Sequence, residues 1–120
     1  MSAYDQFLTD KDLESNGVLL DYGSFSLTVA RAGGANKQFN KTLEALSRPY
    51  RKQIQAGRLD REVQDELMLK AFARSVVKSW DGVTDPEGAV LEFNEENFMR
   101  VMRDLPDLWE DVQNMAVSMD

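Results

Sequence analysis

From Phe98 to Met119 the apolar residues Phe98, Val101, Met102, Leu105, Leu108, Trp109, Val112, Met115, Ala116 and Met119 fall mostly three or four positions apart. Only an α-helix gathers such positions on one side, so the end of the chain must be helical and must bury that side. Asn94 is a good cap for the first segment, with Glu95 and Glu96 in its first turn. Pro106 lacks an N–H and fits the first position of a helix, so it should start a second segment.

The helical period recurs upstream in Phe39, Leu43, Leu46 and Tyr50. Pro49 should kink or restart that helix near Ser47-Arg48, and Gly57 should stop it. Asp60 is the expected cap of the next helix, which should run to about Ser79 and bury Val63, Leu67, Ala71 and Val76, with Phe72 alongside. Two short stretches differ. Residues 17–22 (GVLLDY) and 25–30 (FSLTVA) are rich in β-branched and aromatic side chains, and Gly23-Ser24 between them suits a tight turn. Phe25, Leu27 and Val29 alternate with Ser26, Thr28 and Ala30, as in a half-buried strand. A lone hairpin is marginal in water, so this one must pack on the helices or pair with another subunit.

The predicted fold class is therefore mainly α: a small helical domain with an N-terminal β-hairpin. Residues 1–120 read as a single domain, with 1–15 a flexible lead bearing a short helical turn at Asp10–Glu14, 16–30 the hairpin, and 34–120 a helical body interrupted by a loop at 81–93. Within that loop Asp85-Pro86-Glu87-Gly88 has the residues of a type I turn, and the flanking Val83, Val90, Leu91 and Phe93 are compatible with a small hairpin.

Charge is unevenly spread. The net charge of −7 hides seven bases and one acid in residues 31–58, against two bases and eleven acids in residues 81–120. A basic middle between acidic ends predicts a head-to-tail contact between copies, with Arg48, Arg51 and Lys52 of one facing Glu110 and Asp111 of the next. Arg48, Tyr50, Arg51 and Lys52 also mix bases with an aromatic, as stacking sites for single-stranded nucleic acid do. The acidity of the whole chain opposes phosphate binding, and no nucleic acid is expected as a partner.

The inventory for catalysis is thin. The chain has no cysteine and no histidine, which removes the commonest general base, the Ser-His-Asp arrangement and a structural zinc site. Gly33-Gly34 is not followed by the Lys-Ser/Thr of a phosphate-binding loop. Asp81, Asp85 and Glu92 sit at positions 1, 5 and 12 of a notional calcium loop, but Val83 and Pro86 stand where that loop needs an oxygen ligand and a glycine. A carboxylate pair is the catalytic arrangement left open, and acid clusters on so acidic a chain ordinarily form a solvated face. We expect no enzyme activity, no catalytic residue, no metal and no cofactor. The N-terminus is polar and acidic, unlike a signal peptide, and no run reaches the roughly 18 apolar residues of a membrane span. Neither secretion nor a membrane is expected.

Several motifs resemble those of the tail assembly chaperones of long-tailed bacteriophages with non-contractile tails. Trp80-Asp81-Gly82-Val83, Asp85 and Gly88, then Leu91-Glu92-Phe93-Asn94-Glu95-Glu96-Asn97 and Leu105-Pro106, are similar in order and spacing to the C-terminal half of that family. Ala30-Arg31-Ala32-Gly33-Gly34-Ala35-Asn36 and Leu46-Ser47-Arg48-Pro49-Tyr50-Arg51 also resemble it, so the likeness runs from about Gly17 to Ala116. It implies a mostly helical, self-associating protein of the host cytoplasm that binds and solubilises the tape measure protein, helps recruit tail tube subunits and is not retained in the virion. It also implies a frameshifted longer form as a partner. A client of that kind exposes apolar helical stripes, and Met102, Leu105, Trp109 and Met115 are the expected contacts, since methionine surfaces repack easily. The competing expectations are a small structural tail or joining protein of the virion, and a nucleic-acid-binding regulator.

Overall fold

A computed structural model describes residues 17–33 and 36–118. Strands β1 (Val18–Asp21) and β2 (Ser26–Val29) pair antiparallel, with Val18 opposite Val29 and Asp21 opposite Ser26. The turn between them closes when Tyr22 N–H donates to the Phe25 carbonyl at 2.9 Å. Gly23 occupies a positive φ of 92° there, which costs glycine nothing. The predicted alternation holds within β2, where Leu27 and Val29 are fully buried and Ser26 and Thr28 lie at the margin, but not at Ala30, which is also fully buried.

Helix α1 (Lys37–Ser47) ends where Pro49 forces a single 3-10 turn, Arg48–Tyr50, after which α2 (Arg51–Gln55) resumes. Gly57 then reverses the chain at φ 67°, its N–H bonded to the Ile54 carbonyl and that of Arg58 to the Gln53 carbonyl. Helix α3 (Arg61–Ser75) follows, with Asp60 at the cap position but making no side-chain cap bond. Among the residues expected to face the core, Leu67, Ala71, Phe72 and Val76 are buried and Val63 is half-buried.

One boundary differs from expectation. The helix does not continue to Ser79: it stops at Ser75, and Val77–Asp81 form β3. This strand joins the hairpin to give a sheet in the order β1-β2-β3, with Leu27 opposite Trp80 and Val29 opposite Val77 across an irregularity at Thr28/Val29. Paired with β1 alone, β2 would leave backbone donors and acceptors open on its other side. The β-branched Val76 and Val77 suit that edge better than a helix, and Ala30 N–H donates to the Val76 carbonyl at 2.7 Å to continue the pairing.

The following segment is a short hairpin arm built on Asp85. Gly88 N–H donates to the Asp85 carbonyl, and the Asp85 carboxylate accepts from the N–H groups of Glu87 and Ala89, all at 2.9 Å. Thr84 bridges Val90 and Leu91 N–H returns to the Val83 carbonyl. Helix α4 (Glu95–Asp104) starts under its expected cap, Asn94 accepting from Asn97 N–H at 2.8 Å, and α5 (Pro106–Val117) begins at its proline.

Aromatic rings run through the core from one helix to the next. Phe72 of α3 meets Phe39 of α1 at 5.7 Å and Trp109 of α5 at 4.9 Å, both edge-on. Trp109 meets Phe98 of α4 at 6.0 Å, and Phe98 and Trp80 both pack on Phe93. Burying Phe72 and Phe98 contributes roughly 1.5–3 kcal/mol each, and edge-on ring pairs add about 1 kcal/mol. A buried amide completes the frame: Asn36 Nδ2 donates to the carbonyls of Arg31 and Ser75 at 2.7 and 2.8 Å, and its Oδ1 caps α1 at Phe39 N–H. The predicted lead at 1–15, with its helical turn at Asp10–Glu14, lies outside the described residues.

Candidate functional site

Where the sheet, the Asp85 arm and the junction of α4 with α5 meet, the surface falls into a groove of about 500 Å³. Phe25, Leu27, Trp80, Val83 and Leu91 line one wall, and Val101, Met102, Leu105 and Leu108 the other. Trp80 is fixed by its indole N–H, which donates to the Leu91 carbonyl at 2.8 Å, and by Phe93 edge-on at 5.2 Å. Gly82 lets the chain after β3 lie against the hairpin turn: at φ 78° its backbone passes so close that a Cβ would stand 2.7 Å from the Ser24 carbonyl oxygen. The polar rim holds Asp85, Arg100 and Asp104. An apolar trough with a few charges at its lip fits an amphipathic helix or another apolar chain segment.

The four expected partner contacts divide in this structure. Leu105 stands at the rim, 49% exposed. Met102 lies at the floor of the groove and is 1% exposed, because the face of α4 that carries Phe98, Val101 and Met102 is turned inward. Trp109 is half-buried and edge-on to Phe72 and Phe98, a position that pins the helices together. Met115 is 44% exposed on α5 and does not line the groove. Sequence periodicity thus marked one helical stripe where the fold makes two surfaces, one inward and one outward. It also missed Phe25, Val83 and Leu91, which come to the groove only because β3 joins the hairpin.

The charged residues expected to mediate self-association are all exposed. Arg48, Arg51 and Lys52 lie on the 3-10 turn and α2, while Glu110 and Asp111 lie on α5. Asp111 also accepts a hydrogen bond of 2.6 Å from the Tyr22 hydroxyl, which ties the hairpin turn to α5. Beside α2 a second, shallower groove of about 370 Å³ runs between the kinked α1–α2 segment and α3, lined by Leu43, Ile54, Leu59, Leu67 and Met68 among others. Among the described residues, no group of three or more acids stands together as a metal site would require, and no helix is long and apolar enough to cross a membrane. Asp85, the middle ligand of the notional calcium loop, spends its carboxylate on its own turn.

No curated protein and no solved structure matches the chain. A family model described as YdaY prophage protein matches residues 34–120, which takes in all of α1 to α5 and β3 and leaves β1 and β2 outside. The match covers well over half of the chain, and this protein, helical around a small three-stranded sheet, belongs to the YdaY prophage protein family and is of phage origin.

Proposed function

We propose that this prophage protein is a tail assembly chaperone that holds the tape measure protein in its apolar groove before the tail tube forms around it. The observation that carries the reading is the groove itself, walled by Trp80, Phe25 and Leu91 on one side and by Leu105 and Leu108 on the other. A long helical client exposes apolar stripes until its tube covers them. Two or three side chains seated in such a groove contribute roughly 1.5–3 kcal/mol each, enough for reversible holding. The sequence motifs similar to those of tail assembly chaperones, from Trp80 to Gly88 and from Leu91 to Asn97, build this same wall. Release into the tube, host-cytoplasm location and loss from the virion belong to the same proposal.

Co-expression with the tape measure protein of the same phage is the test. The wild-type chain should keep the client in the soluble fraction and co-purify with it. Leu105→Glu, a change at an exposed rim position, should lose both effects, while Val90→Glu, at an exposed position outside the groove lining, should lose neither. A client equally insoluble with and without the wild-type chain would overturn the proposal.

A further inference from the structure

The second groove belongs to a different surface and suits a different occupant. Helix α2 is five residues long and buries none of them, and every residue from 51 to 58 is exposed. Short helices are not stable on their own and ordinarily gain their stability by packing an apolar face. The apolar residue α2 carries, Ile54, is 45% exposed at the mouth of the groove with Leu43, Leu59 and Met68. From Lys37 to Arg58 the kinked helical segment that forms this wall carries six cations (Lys37, Lys41, Arg48, Arg51, Lys52 and Arg58) and the single acid Glu44.

The opposite character is found on the last helix. From Asp104 to Val117 the chain carries four acids, Asp104, Asp107, Glu110 and Asp111, and no base. On α5, Asp107, Asp111 and Met115 follow one another at four-residue steps, and Glu110 and Val117 lie two turns apart on the neighbouring strip, so each acidic strip ends in an exposed apolar residue. These acids form no ion pair with the α1–α2 cations within one chain, among the described residues. Among the described residues the ion pairs are Glu66–Lys70 and Arg74–Glu95, and neither involves the α1–α2 cations or the α5 acids. Helix α3 packs on α1 through Phe72 and Phe39, on α4, and on α5 through Phe72 and Trp109.

We infer that the groove between the kinked α1–α2 segment and α3 receives the acidic helix α5 of a second copy of this chain. Met115 enters beside Ile54 and Met68, and Asp107 and Glu110 face Arg51 and Lys52. The two surfaces are unlike and belong to different elements of each copy, so the contact is head-to-tail and leaves a free surface of each kind for further copies. The inference is independent of the groove at Trp80 and stands or falls separately from the client.

Analytical ultracentrifugation over a concentration and salt series tests it. At low salt the wild type should grow past a dimer with concentration. It should fall back toward monomer as salt shortens the screening length from about 10 Å at 0.1 M to about 3 Å at 1 M. Reversing one side, as Arg51→Glu with Lys52→Glu, or the other, as Asp107→Lys with Glu110→Lys, should weaken self-association by about tenfold or more. Each double variant keeps one intact surface, so mixing the two should restore a one-to-one complex that grows no further. Unchanged circular dichroism shows that each remains folded, and Arg51→Gln with Lys52→Gln serves if a reversed variant does not fold. A wild type that stays monomeric at low salt, or stops at a dimer, overturns the inference. So does a mixture that forms no complex, or a basic-face reversal whose sole effect is to abolish retention of single-stranded DNA at the same salt.

Discussion

Tyr22 and Asp111 show how much a single contact can add to a surface turn. The Tyr22 ring stacks on Phe25 at 5.0 Å and its hydroxyl donates to the Asp111 carboxylate. Burial first, and then the neighbouring carboxylate, raise the phenol above its ordinary value of 10.0. A raised folded-state value means that the stabilisation is present at and below neutral pH and is lost once the unfolded chain's phenol begins to ionise. The wild type should therefore exceed Tyr22→Phe by about 1 kcal/mol below pH 10, and the gap should close as pH rises beyond that. Urea melts of both proteins at neutral and alkaline pH check this, and a gap that widens with pH refutes it. Asn36 is as important at this scale and was invisible beforehand. Its capping role is one that asparagine commonly plays, but the two carbonyls it holds, Arg31 and Ser75, converge only when α3 has packed. Met102 shows the reverse problem, since a helical period says that a face is covered and not whether the cover is the same chain.

At the scale of elements, local signals were legible wherever chain chemistry is local. Gly23-Ser24 turned, Pro49 broke a helix, Asn94 and Pro106 began helices, and Asp85-Pro86-Glu87-Gly88 folded on its own side chain. The end of α3 was not legible, because Val76 and Val77 leave the helix for a β2 edge that lies about fifty residues earlier in the chain. With β3 unforeseen, the groove wall that depends on it was unforeseen as well. Gly82 is the hinge of this arrangement. Gly82→Ala combines a positive φ with a Cβ clash against backbone at Ser24, so it should cost about 1–2 kcal/mol or more. Gly88→Ala, also at positive φ but with open space around it, should cost less. Thermal melts of the two variants decide, and equal losses would show that the close approach to the Ser24 turn matters little.

For the whole molecule, the family match and the folded unit do not coincide. The matched residues 34–120 contain every helix described here, yet Leu27 and Val29 of the unmatched hairpin are fully buried in the shared core. A chain beginning at residue 34 loses those side chains, the partner of β3 and the Phe25 and Leu27 wall of the groove. We expect it to retain helical circular dichroism but to melt without a sharp transition and to bind a hydrophobic dye, as loosely packed states do. A cooperative melt equal to that of the full chain would show that the hairpin is dispensable.

The placement of β3 also orders events during synthesis. Strands β1 and β2 leave the ribosome early, while their third partner ends at Asp81, some fifty residues later. At translation rates of about 5–20 residues per second, the nascent hairpin waits roughly 3–10 s with one edge bare. Its own single-stranded border is thus a transient opening for any extended chain nearby, and a cell translating many copies at once meets that opening before the finished protein exists.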